Sequence, residues 1–332
     1  MLSIIIVHYK TPDLLSKCVA SIFATTPSER IEVIVVDNDS KDNSKELILQ
    51  EFPQVKWIDS GYNAGFARAN NSGIRMAKGE YIVLLNPDTY VTEDFFKKWL
   101  EKYKEMDQNH QLGLLGCRII SSVDNSLLVG TGRGFPSWEK YLNANPVYVK
   151  FAKKRPLKKY NAQEMHYHNH EADFISGACV MIKKSKIEQH NLYLDEDFFL
   201  YSEDVEWSFR VKKKGYFNYF CADVEVFHVN SASTGEMTDN KLSQITVSRF
   251  LMLLKSYGVL RFSLIQIIIR FNFRLQQIIS WKNKNRNHPP PLIDSETRVN
   301  FEISKQYFWN IILRYYIIKD ENNLIYVPKD HS

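Results

Sequence analysis

Five consecutive apolar residues, Tyr81-Ile82-Val83-Leu84-Leu85, run without transition into Asn86-Pro87-Asp88-Thr89, and no feature restricts the fold of this chain more. A strand-length run with no polar alternation is the pattern of a strand covered on both faces, as in the middle of a parallel sheet. Pro87 fixes its own φ and keeps Asn86 extended, so the turn holds Asp88 at the strand's C-terminal end. In open α/β sheets that is the edge where ligands bind. The same residues also make an ordinary type I turn, since Pro and Asp are common turn residues. The neighbouring segments decide between the two.

Upstream, Leu2 to Val7 reads as an apolar strand, and Thr11-Pro12-Asp13 as a helix start with Thr11 the capping residue and Pro12 at the first helical position. Leu14, Leu15, Cys18, Val19 and Ile22 then follow at helical spacing. Ile31 to Val36 is a second strand, ending in Asp37-Asn38-Asp39-Ser40. A helix from Asp42-Asn43-Ser44 through Leu49 and a short strand Val55 to Ile58 complete a βαβαβ beginning, which favours a right-handed parallel sheet. Gly61, Gly65 and the asparagines between and after them form a loop, and Phe66 to Ala77 a helix that feeds the Tyr81 strand. Thr92-Glu93-Asp94 caps a helix over Phe95 to Met106, and Leu112 to Ile120 is a further strand.

Val123 to His170 is irregular, with Gly, Pro, bases and aromatics interleaved, and reads as a long excursion over the site. Phe174 to Ile182 follows as a glycine-broken strand, Asp197 to Gly215 as a helix closed by a glycine cap, and Tyr219 to His228 as one more strand. From about Lys241 the character changes. Phe250 to Leu275 is apolar with scattered Arg and Lys, Trp281 to Pro291 is a basic, proline-ended linker, and the last forty residues are aromatic-rich. The expected organisation is a domain over 1–240 and a mainly helical extension over 241–332. For the extension two readings stay open: an amphipathic helix pair on a lipid surface, or a packed subdomain or homodimer contact.

A formal net charge of +5 is too mild to imply nucleic acid, and suits anionic small molecules or anionic membrane surfaces. The four cysteines, Cys18, Cys117, Cys179 and Cys221, have no metal-like spacing and read as buried thiols of a reducing compartment. The start lacks the pattern of a signal peptide, and no stretch is read as apolar and long enough to span a bilayer. The expectation is a cytoplasmic chain, with a peripheral position on the inner face of the plasma membrane as the option that a lipid-docking extension would add. His166, His168 and His170 alternate, which would put three imidazoles on one strand face, but a zinc reading lacks a Cys or a second acidic partner beyond Glu171.

Asp37 and Asp39, Asp88, and Glu203-Asp204 thus fall at ends of predicted elements. A parallel sheet would bring the first two groups to one edge. With these segments in place, the chain resembles the inverting glycosyltransferases of family two, of GT-A fold, and within them the rhamnosyltransferase-like group of bacterial polysaccharide assembly. The resemblance is carried by SIIIVHYK at the start, VVDNDSKDNS from Val35, GYNAGFARANNSGI from Gly61, YIVLLNPDT from Tyr81, FISGACVMI from Phe174 and FFLYSEDVEWSFRVKKKGY from Phe198, over about residues 1 to 230.

The resemblance implies an α/β fold with a Rossmann-like, mostly parallel central sheet, flanking helices and a C-terminal helical extension. It implies transfer of a sugar from a nucleotide-diphosphate donor, dTDP-rhamnose or a UDP-sugar, to a glycan or lipid-linked saccharide acceptor. Tyr9, Asp37 and Asp39 would face base and ribose, with Asn63 and Arg68 near the phosphates. Asp88 matches the last acid of the family's DxD motif and would hold Mg²⁺ or Mn²⁺, with His228 as a further ligand. Asn86 stands where many members have the first Asp. In Glu203-Asp204 the second acid matches the general base, and like-charge repulsion from Glu203 is expected to raise the pKa of Asp204. Such chemistry needs one carboxylate to take the acceptor's proton and a divalent cation to neutralise the leaving diphosphate.

Without the other motifs, Glu203 to Glu206 is an acidic first helical turn favoured by the macrodipole, and His228 a structural histidine at a strand end. Two alternative functions stand beside the transferase. A nucleotidyltransferase would need a Gly-rich, basic loop after the first strand, which HYKTPDLL lacks. A non-catalytic glycan-binding protein would have no use for Asp88, Asp204 and His228.

Overall fold

Alternate residues of the first strand enter two different cores, which is why it is apolar throughout. In β1 (Leu2–His8), Leu2, Ile4 and Ile6 join one buried cluster and Ile5 and Val7 another. The first cluster takes in Leu15, Cys18, Val19 and Ile22 of α1 (Pro12–Thr25), Ile48 of α2 (Ser44–Glu51) and Phe95, Phe96, Trp99 and Tyr103 of α4 (Phe95–Met106). The second takes in Ala67, Ala69 and Ile74 of α3 (Gly65–Met76), Ile187 of α5 (Lys184–His190), and Trp207 and Val211 of α6 (Glu203–Lys213). Helices therefore cover both sides of one sheet.

The computed structural model describes residues 1–26, 30–128, 132, 134–135, 165–229 and 239–284. The basic run Lys150 to Lys159, most of the irregular excursion, and the linker and aromatic tail beyond Lys284 lie outside the described residues. Two compact units are present: one carries the sheet with α1 to α6, and the other holds α7 (Asp239–Lys284) together with Leu200–Ser202.

The remaining strands are β2 (Ile31–Asp37), β3 (Lys56–Asp59), β4 (Tyr81–Leu85), β5 (Thr89–Val91), β6 (Leu112–Ser121), β7 (His170–Ala172), β8 (Cys179–Lys183) and β9 (Phe217–His228). Their order in the sheet is β3-β2-β1-β4-β8-β6-β9-β5, with β7 also on β9. The expected parallel start is present, since β1 pairs in parallel with β2 and β4, and β2 with β3. The Tyr81 strand is buried at every position, but only one neighbour is parallel; β8 runs antiparallel on its other side. Six strands, β1, β2, β3, β4, β6 and β9, still run the same way, so their C-terminal ends share one edge with the starts of β5 and β8.

Several boundaries differ from the sequence reading for local reasons. The glycine-broken strand begins only at Cys179, because Gly177 and Ala178 form a turn, with Gly177 held against Asp204 of α6. The expected helix over 197–215 starts at Glu203, since Tyr201 and Ser202 hold left-handed φ values of 71° and 64° that no α-helix accommodates. Thr11 and Asp94 occupy N-cap positions without a side-chain capping bond, and Asp94 is itself left-handed at φ 61°. His166, His168 and His170 do not share a strand face: only His170 lies in β7, and the rings of His166 and His170 pack on Phe220 at 4.8 and 5.1 Å. No group of three His, Cys, Asp or Glu side chains among the described residues is placed to hold a metal.

In the second unit, α7 is interrupted at Gly258 (φ 79°, ψ 171°). The rings of Phe250 and Phe262 stand 6.0 Å apart, whereas twelve residues of straight helix would separate them by about 18 Å. The chain therefore folds back at Gly258 into a helical hairpin. Lys241–Phe271 is long and apolar enough by length and composition to cross a bilayer, contrary to the sequence reading, but the fold-back breaks that stretch into two arms.

Candidate active site

The strand ends of the shared edge are stitched to one another before any catalytic group is considered. The backbone N–H of Asn38 donates to the carbonyl of His8 at 2.9 Å, Ser60 N–H to the Asp37 carbonyl at 3.0 Å, and Lys10 N–H to Ser40 Oγ at 3.0 Å. Asp37 turns its carboxylate onto the N–H of Ser40, 3.3 Å from each oxygen. The buried Asn38 side chain bridges outward, donating to the Gly65 carbonyl and accepting from Ala64 N–H. Lys10, Asp39 and Lys41 all adopt left-handed φ values of 55° to 64°. Non-glycine residues persist there only where surroundings over-determine them, and such positions concentrate at ligand sites. Tyr9 lies exposed beside these loops.

The Gly61–Gly65 loop is clamped to the other side of the edge. Asn63 Oδ1 accepts from Gly65 N–H at 3.2 Å, and Phe66 N–H donates to the Phe199 carbonyl at 2.8 Å. Gly65 is required twice over, by φ +77° and because a Cβ would stand 2.4 Å from the Phe199 carbonyl oxygen. Arg68 gives its Nε to the Glu196 carbonyl at 3.0 Å, and Arg75 and Asn71 hold the Glu196 carboxylate. This part of Arg68 therefore braces the segment before α6.

After β4, Asn86 to Thr89 form a turn, Thr89 donating from both N–H and Oγ1 to the Asn86 carbonyl. The turn and the ligand reading of this stretch are thus compatible: the turn is what fixes Asp88, 2% exposed. The Asp88 carbonyl accepts from Val229 N–H, and Thr89 pairs with His228 in the β5–β9 ladder. His228 Nε2 consequently lies 3.2 Å from Asp88 Oδ1 and 3.5 Å from Asn86 Nδ2. Asp88 Oδ1 is buried without a hydrogen-bond donor.

The acid pair opens α6 and is tied to the neighbouring loop. Asn86 N–H donates to the Ala178 carbonyl, and the preceding Gly177 N–H donates to Asp204 Oδ2 at 3.0 Å. Asp204 Oδ1 accepts from Val205 N–H at 2.8 Å, and Ser208 Oγ bonds the Asp204 carbonyl. One backbone step, Ala178 to Gly177, therefore links the Asn86–Asp88 turn to Asp204. Asp204 is half-buried, whereas Glu203 is buried and its Oε2 has no partner. Glu206, the third acid of the same turn, is bound by Arg210 at 2.7 and 2.8 Å.

Burial, and then the charge of Asp204, push the Glu203 carboxyl up to about 8. Burial raises Asp204 as well, opposed by the N–H donors of Gly177 and Val205. The expected order of influence is thereby reversed. Asp204 has the donors that stabilise a carboxylate and Glu203 has none, so Glu203 retains its proton longer and Asp204 is the first to ionise.

Two groups here escaped the sequence reading. His8, at the end of β1, is buried with Nε2 2.9 Å from Ser44 Oγ and 3.6 Å from Asp42, and burial lowers its pKa. Its signal was a histidine directly after an apolar strand-length run, and the structure sets it in register with Asp37. Asn38 was hidden between the two aspartates that drew attention.

Residues 3–190 match the family model described as glycosyl transferase family 2. The chain belongs to that family. Among curated relatives, the low-salt glycan biosynthesis hexosyltransferase Agl10 of Haloferax volcanii is 26% identical over 233 residues, 68% of this chain and 66% of that protein. An N-acetylglucosaminyl-diphospho-decaprenol L-rhamnosyltransferase of Mycobacterium tuberculosis is 25% identical over 265 residues, 76% of this chain and 84% of that protein. Both the family and the rhamnosyltransferase relatives expected from the motifs are therefore found, and the chain is a glycosyltransferase of glycan biosynthesis.

Solved structures carry the same fold. Staphylococcus aureus TarS 1–349 in complex with UDP has a TM-score of 0.50 at 13% identity, over 86% of this chain and 73% of that one. GalNAc-T7 with UDP, GalNAc and Mn²⁺ has a TM-score of 0.55 at 14% identity, over 96% of this chain and 58% of that one. This family 2 member thus has the GT-A architecture.

Proposed function

We propose that this family 2 enzyme transfers a sugar from a nucleoside-diphosphate donor, dTDP-rhamnose or a UDP-sugar, to a hydroxyl of a growing, lipid-linked glycan with inversion at the anomeric carbon. One observation carries the reading: the buried Asp88 carboxylate with the part-exposed His228 beside it and the half-buried Asp204 carboxylate lie at one sheet edge, joined through Gly177 and Ala178.

The residues present fit a divalent cation. Asp88 Oδ1 is a buried acceptor without a donor, and it faces an imidazole nitrogen at 3.2 Å, close to the roughly 3 Å between adjacent ligands of one small ion. Asp88 and His228 would hold Mg²⁺ or Mn²⁺, and diphosphate and water would complete the shell. Bound there, the cation supplies neutralisation of the charge that builds on the leaving diphosphate.

Asp204 takes the proton of the acceptor hydroxyl as its oxygen forms the new bond to the anomeric carbon and the bond from that carbon to the donor phosphate oxygen breaks. A single displacement inverts that carbon and needs one base only. The two backbone donors fix the carboxylate, and the buried Glu203, kept protonated, adds no second charge beside it. The knitted loops bearing Tyr9, Asp37 and Asp39 receive base and ribose, and the loop of Asn63 with Arg68 behind it lines the diphosphate. A screen of nucleotide sugars for acceptor-dependent release of nucleoside diphosphate tests the proposal. Release from none of them with any saccharide acceptor would sink it.

A further inference from the structure

The second arm of α7 has two apolar faces, and the hairpin accounts for one. Phe262, Ile265 and Ile269 are buried against Val247, Phe250, Leu253 and Leu254 of the first arm. On the other side, Leu260, Leu264, Ile267, Phe271 and Ile278 are 88%, 49%, 62%, 56% and 51% exposed. Their spacing of four, three, four and seven residues keeps all five within about 40° of one line along the helix, and that line runs for about 27 Å. Scattered exposed apolar residues need no explanation, but a continuous row is an interaction surface.

Charge selects the occupant. From Val259 to Lys284 the sequence holds Arg261, Arg270, Arg274, Lys282 and Lys284 and neither Asp nor Glu. Arg261 and Arg274 are exposed and lie on opposite flanks of the row, about 100° to one side and 40° to the other. A second copy of this chain would bring like charges together along the contact. An anionic bilayer offers an apolar phase for the row and negative headgroups for its flanks, the arrangement of a helix lying in the membrane interface. The fold-back at Gly258 breaks Lys241–Phe271 into two arms, so no straight crossing runs through that stretch and the exposed row is suited to lying along a bilayer surface.

We infer that the row Leu260, Leu264, Ile267, Phe271 and Ile278 is a docking surface for an anionic lipid bilayer. The inference is independent of the donor or acceptor of the transfer reaction. It is tested by sedimenting the full chain with phosphatidylglycerol–phosphatidylcholine vesicles and with pure phosphatidylcholine vesicles. The protein is expected to pellet with the first at low salt, to be released as salt rises, and to stay in solution with the second. Arg261→Ala and Arg274→Ala are each expected to lower partitioning roughly fivefold, the change that about 1 kcal/mol per basic residue at an anionic surface represents. The double variant Leu264→Glu/Ile267→Glu should abolish pelleting while keeping the wild-type unfolding midpoint, because both side chains are exposed. If that variant is misfolded, Ile278→Glu alone gives the same reading. Absence of pelleting at low salt, equal pelleting with neutral vesicles, or undiminished pelleting of the folded variants would overturn the inference. So would a lipid-free dimer, seen by sedimentation velocity, that Leu264→Glu/Ile267→Glu dissociates, since the row would then belong to a second copy.

Discussion

At the scale of single residues, the two adjacent acids that open α6 differ in their hydrogen bonds, and the roles proposed for them differ accordingly. Asp204 Oδ1 and Oδ2 each accept a backbone N–H, whereas Glu203 Oε2 has no donor and is buried. Asp204→Asn keeps the shape and removes basicity, so transfer is expected to fall about 10² to 10⁴-fold, the usual loss for a positioned base. Donor affinity measured by calorimetry should survive; near-normal transfer would rule Asp204 out as the base. Glu203→Gln imitates the protonated state that the fold already holds, so its transfer rate should change little. Its signature is stability. A carboxyl raised from an ordinary 4.5 to about 8 contributes stability that is full below the ordinary value and is lost as pH rises through about 8. Unfolding midpoints followed from pH 5 to 9 should therefore fall more for the wild type than for Glu203→Gln, and parallel curves would contradict the assignment. At the other cluster, Asn86→Asp places a second carboxylate beside Asp88 and His228, and should tighten Mn²⁺ binding about tenfold in titrations with nucleoside diphosphate present. Unchanged affinity would remove Asn86 from the ion's surroundings.

At the scale of elements, strands and helices with a strong period were legible, and their partners were not. The apolar runs of β1, β2 and β4 and the helical spacing in α1 could be read because burial on two faces or on one stripe leaves a pattern in the residues themselves. The antiparallel direction of β8 leaves no such trace: Cys179 to Ile182 is as apolar as a parallel strand would be. The start of α6 was misplaced because Tyr201 and Ser202 belong to residue types that rarely take positive φ. Of the candidate site, the positions of Asp37 and Asp88 after strands and of Glu203-Asp204 on a helix were legible, but Asn38, His8 and the Glu203 environment depend on packing that only the fold supplies. Glycines give a direct check on the loop that joins these elements. At Gly61, φ is +72° with open space around a Cβ, so Gly61→Ala should cost only the conformational strain of about 1 kcal/mol. Gly65→Ala meets the Phe199 carbonyl as well, and should cost clearly more in chemical denaturation. Equal losses would mean that the contact between the loop and Phe199 relaxes without consequence.

At the scale of the whole molecule, the proposed site is assembled from segments distant in sequence, β1, β2, α3, β4, β8, α6 and β9, all within the sheet-bearing unit. A ligand that binds this edge binds the folded state alone, since the unfolded chain has no Asp88–His228 pair. Stability then rises with ligand as RT ln(1 + [L]/Kd), about 2.7 kcal/mol at a hundredfold excess over Kd. For a domain of this size each kcal/mol moves the unfolding midpoint by roughly 2 to 4 °C, so UDP or dTDP with Mn²⁺ should raise it by about 5 to 10 °C. Chelation should remove most of that gain, because diphosphate and carboxylate would then face each other without a shared cation. His228→Ala should keep the ligand-free midpoint within about 2 to 4 °C and lose the Mn²⁺-dependent increment, whereas Asp204→Asn should retain the whole increment while losing transfer. This pattern separates the metal pair from the base without a known acceptor. A nucleotide-dependent rise that survives both chelation and His228→Ala would leave donor binding at this edge intact and take the cation out of it.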